Sequence, residues 1–443
     1  MTPPGSTIRM AAAVLLLGAG AAQAQWLPDW TATWPAGEGH VAISPVQLAV
    51  DGDGRLFAHA ETTHDGSWYA ATARIGATGT FEWLDEREAT RPSGMALSGG
   101  RAALAALAPA AMVRVVDAAS GAFLHECTWP GTTFAWDERD QVRVLAFAAD
   151  GSVLLRAEEG GDLVVRRCAA DGTVLPTWRW ASDFEFLRSD DLIALPDGGA
   201  IVTARGATGD GYVVVRFNAQ GDAVLVDAEA GEIGNPIGAL HVARDADGAL
   251  LLAGAPESTF GVPQAQVWKI TPDGTRAWLR VIDRPEVAHP TLDIGGFALA
   301  PDGDVVIAVA PPSGPFRVLR LHGGDGRIAW DASAAIGDTP TGLALAPNGR
   351  VLVGGYAFIV GGGGRITSRM AEFCADGRPC RARTDLAMAT RLQVAAHAGG
   401  WAIFGGGEFT TSGSTGLLQH YDATGPCDGD PSDLVFRDGF DGL

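Results

Sequence analysis

The stretch Gly342-Leu-Ala-Leu-Ala-Pro-Asn348-Gly349-Arg-Val-Leu-Val-Gly354-Gly355 decides the architecture. Two short apolar runs flank an Asn-Gly pair. Asn and Gly tolerate positive φ, so the pair predicts a two-residue hairpin turn between two β-strands. The phrase recurs along the chain. Its second turn residue falls at Gly54, Gly100, Gly151, Gly198, Gly248, Gly303, Gly349 and Gly400, with gaps of 46, 51, 47, 50, 55, 46 and 51 residues. A second turn lies inside each period, at Gly79, Gly121, Gly172, Gly221, Gly274, Gly326, Gly377 and Gly425, 21 to 28 residues after the first. Each period therefore reads as four strands: strand, tight turn, strand, variable loop, strand, tight turn, strand.

Four strands in about 40–50 residues is one blade of a β-propeller. Repetition has a physical cause, because one four-stranded sheet cannot hide both faces and neighbours around an axis hide them for each other. The runs are rich in Val, Leu, Ala and Ile and apolar on both sides, as sandwiched strands should be. The expected fold is all-β, an eight-bladed propeller of antiparallel strands, with a seven-bladed ring as the alternative. Residues 30–34, Trp-Thr-Ala-Thr-Trp, read as a strand that belongs to no complete repeat. The eighth repeat lacks good strand material after Gly425, where Pro426-Cys-Asp-Gly-Asp-Pro431 follows. The N-terminal strand is thus expected to supply the outer strand of the last blade and remove the open edges. Trp83, Trp278 and Trp330 each stand four residues after a second-turn glycine, a repeated position suited to wedging between blades.

Residues 1–24 read as a secretory signal peptide: Arg9 in the n-region, a short apolar core over 10–20, and Ala22-Gln23-Ala24 as the cleavage pattern. Residues 25–427 form the propeller, and 428–443 an acidic, Gly-rich tail. No stretch reaches about 18 uninterrupted apolar residues, so no transmembrane segment is expected. The expected location is the periplasm or the exterior. Sixty Gly and 25 Pro fit a single turn-dense domain better than the two or three that length alone suggests. Lys plus Arg total 32 against 52 Asp plus Glu, a net charge of −20, and Lys269 is the only lysine. Such a surface repels phosphate backbones and argues against nucleic acid as a partner.

Of the five cysteines, Cys374 and Cys380 bracket the Asp376-Gly377 turn and could bridge across a hairpin, while Cys127 and Cys168 could pair between adjacent blades. Cys427 is then the odd one. Burial as small apolar residues is the competing reading.

Leu195-Pro-Asp-Gly-Gly-Ala-Ile-Val-Thr-Ala204, followed by Val214-Val-Arg216-Phe217-Asn-Ala-Gln-Gly221, resembles the bacterial delta-60 type propeller repeat, and so does the segment Ala346 to Gly355. That resemblance implies a propeller and brings no catalytic residues. Asp325-Gly-Arg-Ile-Ala-Trp330 resembles the quinoprotein-like eight-bladed propellers. The sequence lacks their adjacent Cys-Cys pair and a carboxylate and Asn set for a quinone-bound calcium. The resemblance therefore implies blade count and outer-strand docking, not redox chemistry. Phe436-Arg-Asp-Gly-Phe440-Asp resembles a short C-terminal tag of secreted gammaproteobacterial proteins.

Chemistry-bearing motifs are sparse. His59 and His64 have no third ligand fixed by spacing. Asp51 and Asp53, and Asp428 and Asp430, lack the remaining ligands of a calcium loop. Gly361–364 and 405–407 lack the Lys-Ser/Thr of a phosphate cradle, and no Gly-x-Ser-x-Gly elbow is present. No cofactor is expected. Several repeats open with a polar residue and proline: Arg91-Pro92, Asn235-Pro236, His289-Pro290 and Thr339-Pro340. Proline donates no ladder hydrogen bond and belongs at a strand start. Arg91, Asn235, His289 and Arg391 are then candidate binding residues at the mouth of the central channel, with solvated strand capping as the alternative. The loops on that face vary most in length, where binding usually resides. The expected function is a secreted, monomeric scaffold for a protein, glycan or small molecule. The rivals are an extracytoplasmic hydrolase, lyase or quinoprotein-like oxidoreductase working at the channel mouth, and a surface protein held through its tail.

Overall fold

The computed structural model describes residues 26–427 apart from 35–39, 65–66, 89–90, 108–109, 131–143, 182–186, 207–210, 231–239, 255–264, 283–292, 311–314, 334–338, 360–364, 387–391, 398, 407–415, 424 and 426. The described residues form eight sheets of four antiparallel strands each. We number the sheets as blades 1 to 8 in chain order and call their strands a to d from the axis outward. Blade 4 is representative: Leu187–Ala194 (a), Ala200–Gly206 (b), Gly211–Phe217 (c) and Ala223–Ala230 (d). Each strand a touches the strand a of the next blade, and blade 8 touches blade 1, so the ring is closed. The chain is an eight-bladed β-propeller.

Closure uses both ends of the chain. Trp30–Thr33 is strand d of blade 8 and pairs antiparallel with Gly416–Asp422, with Trp30 opposite His420 and Thr33 opposite Leu417. Gln419 donates to Thr31 Oγ1 at 3.3 Å, and His420 Nδ1 lies 2.9 Å from Asp29 Oδ2. Trp34 is buried and stacked on Phe404 at 5.3 Å. The seven-bladed alternative is excluded. Gly425, read from sequence as a turn, makes no hairpin, because strand d of this blade comes from the other end of the chain.

The turns differ in one respect from the two-residue hairpin expected at Asn348-Gly349. Gly349 N donates to Ala346 O at 2.9 Å, and Ala346 N donates to Arg350 O at 2.9 Å. The loop is therefore three residues, Pro347-Asn348-Gly349, with Gly349 at φ +81°. The same three-residue geometry recurs without proline, as in Ala149-Asp150-Gly151, where Gly151 N donates to Ala148 O at 2.9 Å and Ala148 N donates to Ser152 O at 2.8 Å, so the loop is a property of the repeat. Asn348 Oδ1 then accepts the Arg350 N–H at 3.2 Å, as Asp150 and Asp197 do for Ser152 and Gly199 in their own turns. In blade 8 the positive-φ residue is Gly399, and Gly400 already begins the strand.

There is no single core. Each apolar cluster lies between neighbouring blades: Leu154, Leu163 and Val165 of blade 3 pack with Val202, Val213 and Phe217 of blade 4. Ala200–Gly206 is buried at every position, whereas outer strands such as Phe81–Glu88 alternate between partly buried and exposed. Position in the blade thus sets the hydrophobic pattern.

The expected wedging of Trp83, Trp278 and Trp330 is observed, with a definite geometry. The indole lies over the c–d turn glycine of the next blade and donates Nε1–H to a backbone carbonyl of the same turn: Trp83 to Ala118 O, Trp278 to Gly323 O, Trp330 to Ala375 O, at 3.2, 3.2 and 3.0 Å. Trp178 covers Gly221 and Trp30 covers Gly79 by ring contact alone. A side chain on these glycines would collide with the ring. Gly221, at φ +94°, would place a Cβ 2.1 Å from Trp178 Cδ1, whereas Gly274, at φ +86°, has nothing within 4 Å. Gly274→Ala should therefore cost only the backbone strain of about 1 kcal/mol. Gly221→Ala should cost about 2–4 kcal/mol, because the indole must also move. Urea unfolding of the two variants checks the difference, and equal losses would contradict the docking role.

The joints without an indole carry other devices. Between blades 2 and 3 His125 lies against Gly172, and Cys127 of strand 2d bonds Cys168 of strand 3c. Between blades 4 and 5 Asp227 accepts from Trp268 Nε1 at 3.1 Å and pairs with Arg276 at 2.9 Å. Between blades 7 and 8 the buried Glu372 meets Arg350 and Arg381, each at 3.2 Å, and accepts from Trp401 Nε1 at 3.0 Å.

Candidate functional site

The inner strands carry bulky apolar side chains such as Phe147 and Phe297 next to small ones such as Ala194 and Ala298. Between blades 3 and 6 they line a cavity of about 820 Å³. Its walls come from strands Leu145–Phe147, Leu187–Ala194, His241–Arg244 and Asp293–Leu299, and its mouth reaches Leu195 and Pro196 in the blade 4 a–b turn. Phe147, Ile193, Leu195, Phe297 and Leu299 supply apolar surface. Asp191, His241 and Arg244 supply the charged or titratable groups.

These polar groups differ in availability. His241 is buried, stacks on Phe297 at 5.8 Å and 15°, and has Nε2 at 3.4 Å from Ile294 O. Asp191 is buried and accepts N–H bonds from Leu192 and Val242 at 2.9 and 3.0 Å. Both side chains are committed to the backbone. Arg244 is exposed and lies against the Gly248 turn. Arg101, whose guanidinium sits 5.2 Å from the Phe147 ring, is a second cation near this wall. A cavity with a mixed polar and apolar lining and cations at its edge can hold a ligand that joins an apolar body to a negative charge.

Behind Asp191 lies a buried charged network that sequence reading missed. Strand 4a shifts register between Ser189 and Leu192, and the bulge turns the consecutive Asp190 and Asp191 inward. Asp190 pairs with Arg205 Nε at 3.0 Å and accepts Leu240 N–H at 3.1 Å. Arg156 donates to Ser189 Oγ at 2.6 Å, and Ser189 Oγ donates to Glu158 at 3.1 Å. Burial pulls the Arg156 pKa down, against the raising effect of Asp190, Glu158 and Asp191. The network fixes the edge of blade 4 to the inner strand of blade 5. Its only sequence signal is Asp-Asp ahead of the apolar Leu192-Ile193-Ala194, which reads equally well as a solvated strand entry.

The residues singled out from sequence are distributed as follows. Arg91 begins strand 2a, and its guanidinium lies 4.6 Å from the Trp68 ring and 3.8 Å from Glu61, both in blade 1. Asn235, His289 and Arg391 lie outside the described residues, as do most of the loops on their face. Pro92 and Pro340 stand at register shifts in strands 2a and 7a, where the missing N–H leaves no gap in the ladder. Asp51 accepts the N–H groups of Asp53 and Arg55 at 2.9 and 2.8 Å, which is turn formation. Lys269 pairs with Asp245 at 2.8 Å and donates to Gly323 O, a bond between blades 5 and 6. The Cys127–Cys168 pair is bonded as expected. The Cys374–Cys380 pair is corrected: Cys374 bonds Cys427, and Cys380 is a buried free thiol. The ring carries the C-terminal stretch back past blade 7, so the distant Cys427 competes with the hairpin neighbour.

His59 is a buried structural histidine, with Nδ1 2.7 Å from Thr72 Oγ1. Burial outweighs the nearby Ala105 and Ala71 carbonyls and pushes its pKa down from 6.5 to about 4. Above pH 6.5 the imidazole is neutral whether the chain is folded or unfolded. As pH falls from 6.5 towards 4, only the unfolded chain protonates, so stability is lost across that window, by up to about 3 kcal/mol. His125 and His397 are shifted the same way, by burial first. His59→Gln should therefore lose about 2 kcal/mol less than the parent between pH 7 and pH 4.5. Urea midpoints at the two pH values measure this, and parallel losses would contradict it.

No family model and no curated protein sequence matches the chain. Among solved structures it is similar to the C-terminal WD40 domain of Sif2, at a TM-score of 0.50 and 11% identity over 86% of this chain and 95% of that one. It is also similar to BamB from Moraxella catarrhalis, at a TM-score of 0.49 and 12% identity over 86% and 99%. A protein from Lactobacillus plantarum gives 0.48 and 16% over 73% and 92%. What the chain shares with the Sif2 domain is the propeller fold. Identities this low carry no activity across.

Proposed function

We propose that the protein is an exported binding scaffold that takes its ligand in the axial cavity between blades 3 and 6. The observation that carries this reading is the state of the cavity's polar groups: Asp191 and His241 are bound to backbone atoms, and the exposed group at the edge is Arg244. A carboxylate and an imidazole held in this way serve shape, not proton transfer, which favours binding over hydrolysis or lyase chemistry. The ligand class that fits is a small molecule with an apolar, preferably aromatic, body and an anionic group. Export rests on residues 1–24, and the two disulfides accord with an oxidising compartment. Among the described residues no helix is long and apolar enough to cross a membrane.

Anilinonaphthalene sulfonate, an aromatic anion, is a suitable probe. It should bind with saturable, blue-shifted fluorescence, and Arg244→Glu should weaken binding by about three- to tenfold. Phe297→Asp should abolish it. Binding unchanged in both variants would overturn the assignment.

A further inference from the structure

The sulfur atoms of Cys374, Cys380 and Cys427 all lie within 4.8 Å of one another. Two are bonded, Cys374 to Cys427, and Cys380 is the free, buried third. The hairpin between strands 7c and 7d sets this spacing: Cys374 N donates to Arg378 O at 2.8 Å, and Phe373 pairs with Pro379, which places Cys380 beside the bridge. A buried cysteine elsewhere in the fold would only pack. This one has its sulfur within 4.8 Å of both sulfurs of a disulfide, the proximity from which a thiolate can attack the bridge.

We propose that the three cysteines form a thiol–disulfide exchange site in which Cys380 displaces Cys427 from Cys374. The Cys380 thiol gives its proton to solvent, and its sulfur bonds Cys374 Sγ. The Cys374–Cys427 bond breaks, and the electron pair leaves on Cys427 Sγ, which takes up a proton. One disulfide and one thiol are present before and after, so no oxidant or reductant is consumed. The exchange replaces a bridge that ties the C-terminal stretch to blade 7 with one closed inside the Asp376-Gly377 hairpin.

The surroundings govern the rate and the consequence. Burial and the Glu372 carboxylate raise the Cys380 pKa, while Arg381 and Arg350 oppose them, so the resting thiol is protonated and exchange is held back. A small thiol such as glutathione, which reaches the same end state through a mixed disulfide, is the class of molecule that would speed it. Once Cys427 is released, the stretch before it is held by Arg350 on Ala423 O and Gly425 O and by Arg381 on Asp422 O. Residues 428–443 then lose their covalent link to blade 7.

The folded, full-length protein is incubated in a mixture of reduced and oxidised glutathione, quenched with N-ethylmaleimide and digested with trypsin without reduction. Pro379 protects the Arg378 bond from trypsin, so residues 370–381 emerge as one peptide that holds both Cys374 and Cys380. The expected result is this peptide carrying an internal disulfide, lighter than its dithiol by the mass of two hydrogens, together with maleimide on Cys427. Cys380→Ser should lose the maleimide on Cys427. Finding only the Cys374–Cys427 crosslink at every time point would overturn the proposal. So would undiminished Cys427 labelling in Cys380→Ser, because glutathione alone would then open the bridge.

Discussion

Replacing Glu372 by Ala is expected to lower the unfolding free energy by about 3–5 kcal/mol, the range for breaking a buried ion pair by removing one partner. Glu372 is fully buried, and it is the anion shared by Arg350 and Arg381 and bonded by Trp401 Nε1. Without it two guanidinium groups, one of them with a side chain only 11% exposed, keep their charge but lose their counter-ion. Glu372→Gln retains an acceptor for Trp401 and should fall between the parent and Ala. Urea unfolding followed by tryptophan fluorescence reads both, since Trp401 reports the site itself. A loss below about 1 kcal/mol for Ala would mean that the blade 7–8 joint does not depend on this cluster.

Deletion of residues 26–34 should have the larger effect, abolishing a cooperative native state. It removes strand d of blade 8, exposes the edge of Gly416–Asp422, uncovers Phe404 and Leu418, and takes Trp30 away from Gly79. Loss of a fully buried Trp alone costs about 3–5 kcal/mol, and a typical domain has about 5–15 kcal/mol to lose. An unpaired edge rich in apolar residues also invites association. Size-exclusion chromatography of the shortened chain should show aggregate, and a monomer with an unchanged unfolding transition would refute the closure.

The architecture was legible because tight turns demand particular residues. A glycine at positive φ is hard to replace, so Gly151, Gly198, Gly303 and their counterparts mark the repeat, and the indole offset from Gly79, Gly274 and Gly326 marks blade-to-blade docking. What misled was chemistry between near neighbours in sequence. Asn348-Gly349 suggested a two-residue turn until Pro347 was counted as part of it. Cys374 and Cys380 suggested a hairpin bridge because ring closure, which returns Cys427 to the same place, is invisible in local spacing. The axial cavity was hidden for a related reason. Its wall is assembled from Phe147, Ile193, His241 and Phe297, one per blade, and each looks like an ordinary strand residue in its own repeat. Whether Asp190 and Asp191 face water or the interior depends on a bulge that no periodicity reports.

Ring closure by the N-terminal strand is the claim on which the blade count, the docking order and the axial cavity all depend. Thr31 and Gln419 face each other across the 8c–8d pair. The Thr31→Cys, Gln419→Cys double variant, built on Cys380→Ser, tests that register directly. Opposed residues in an antiparallel pair lie about 4.5–5.5 Å apart at Cα, within reach of a disulfide. Mild oxidation of the folded protein should join residue 31 to residue 419 in high yield, seen as a faster-moving species on a non-reducing gel and as the crosslinked peptide by mass spectrometry. A folded protein that keeps both new thiols free, or that joins residue 31 to a cysteine elsewhere, would contradict the closure.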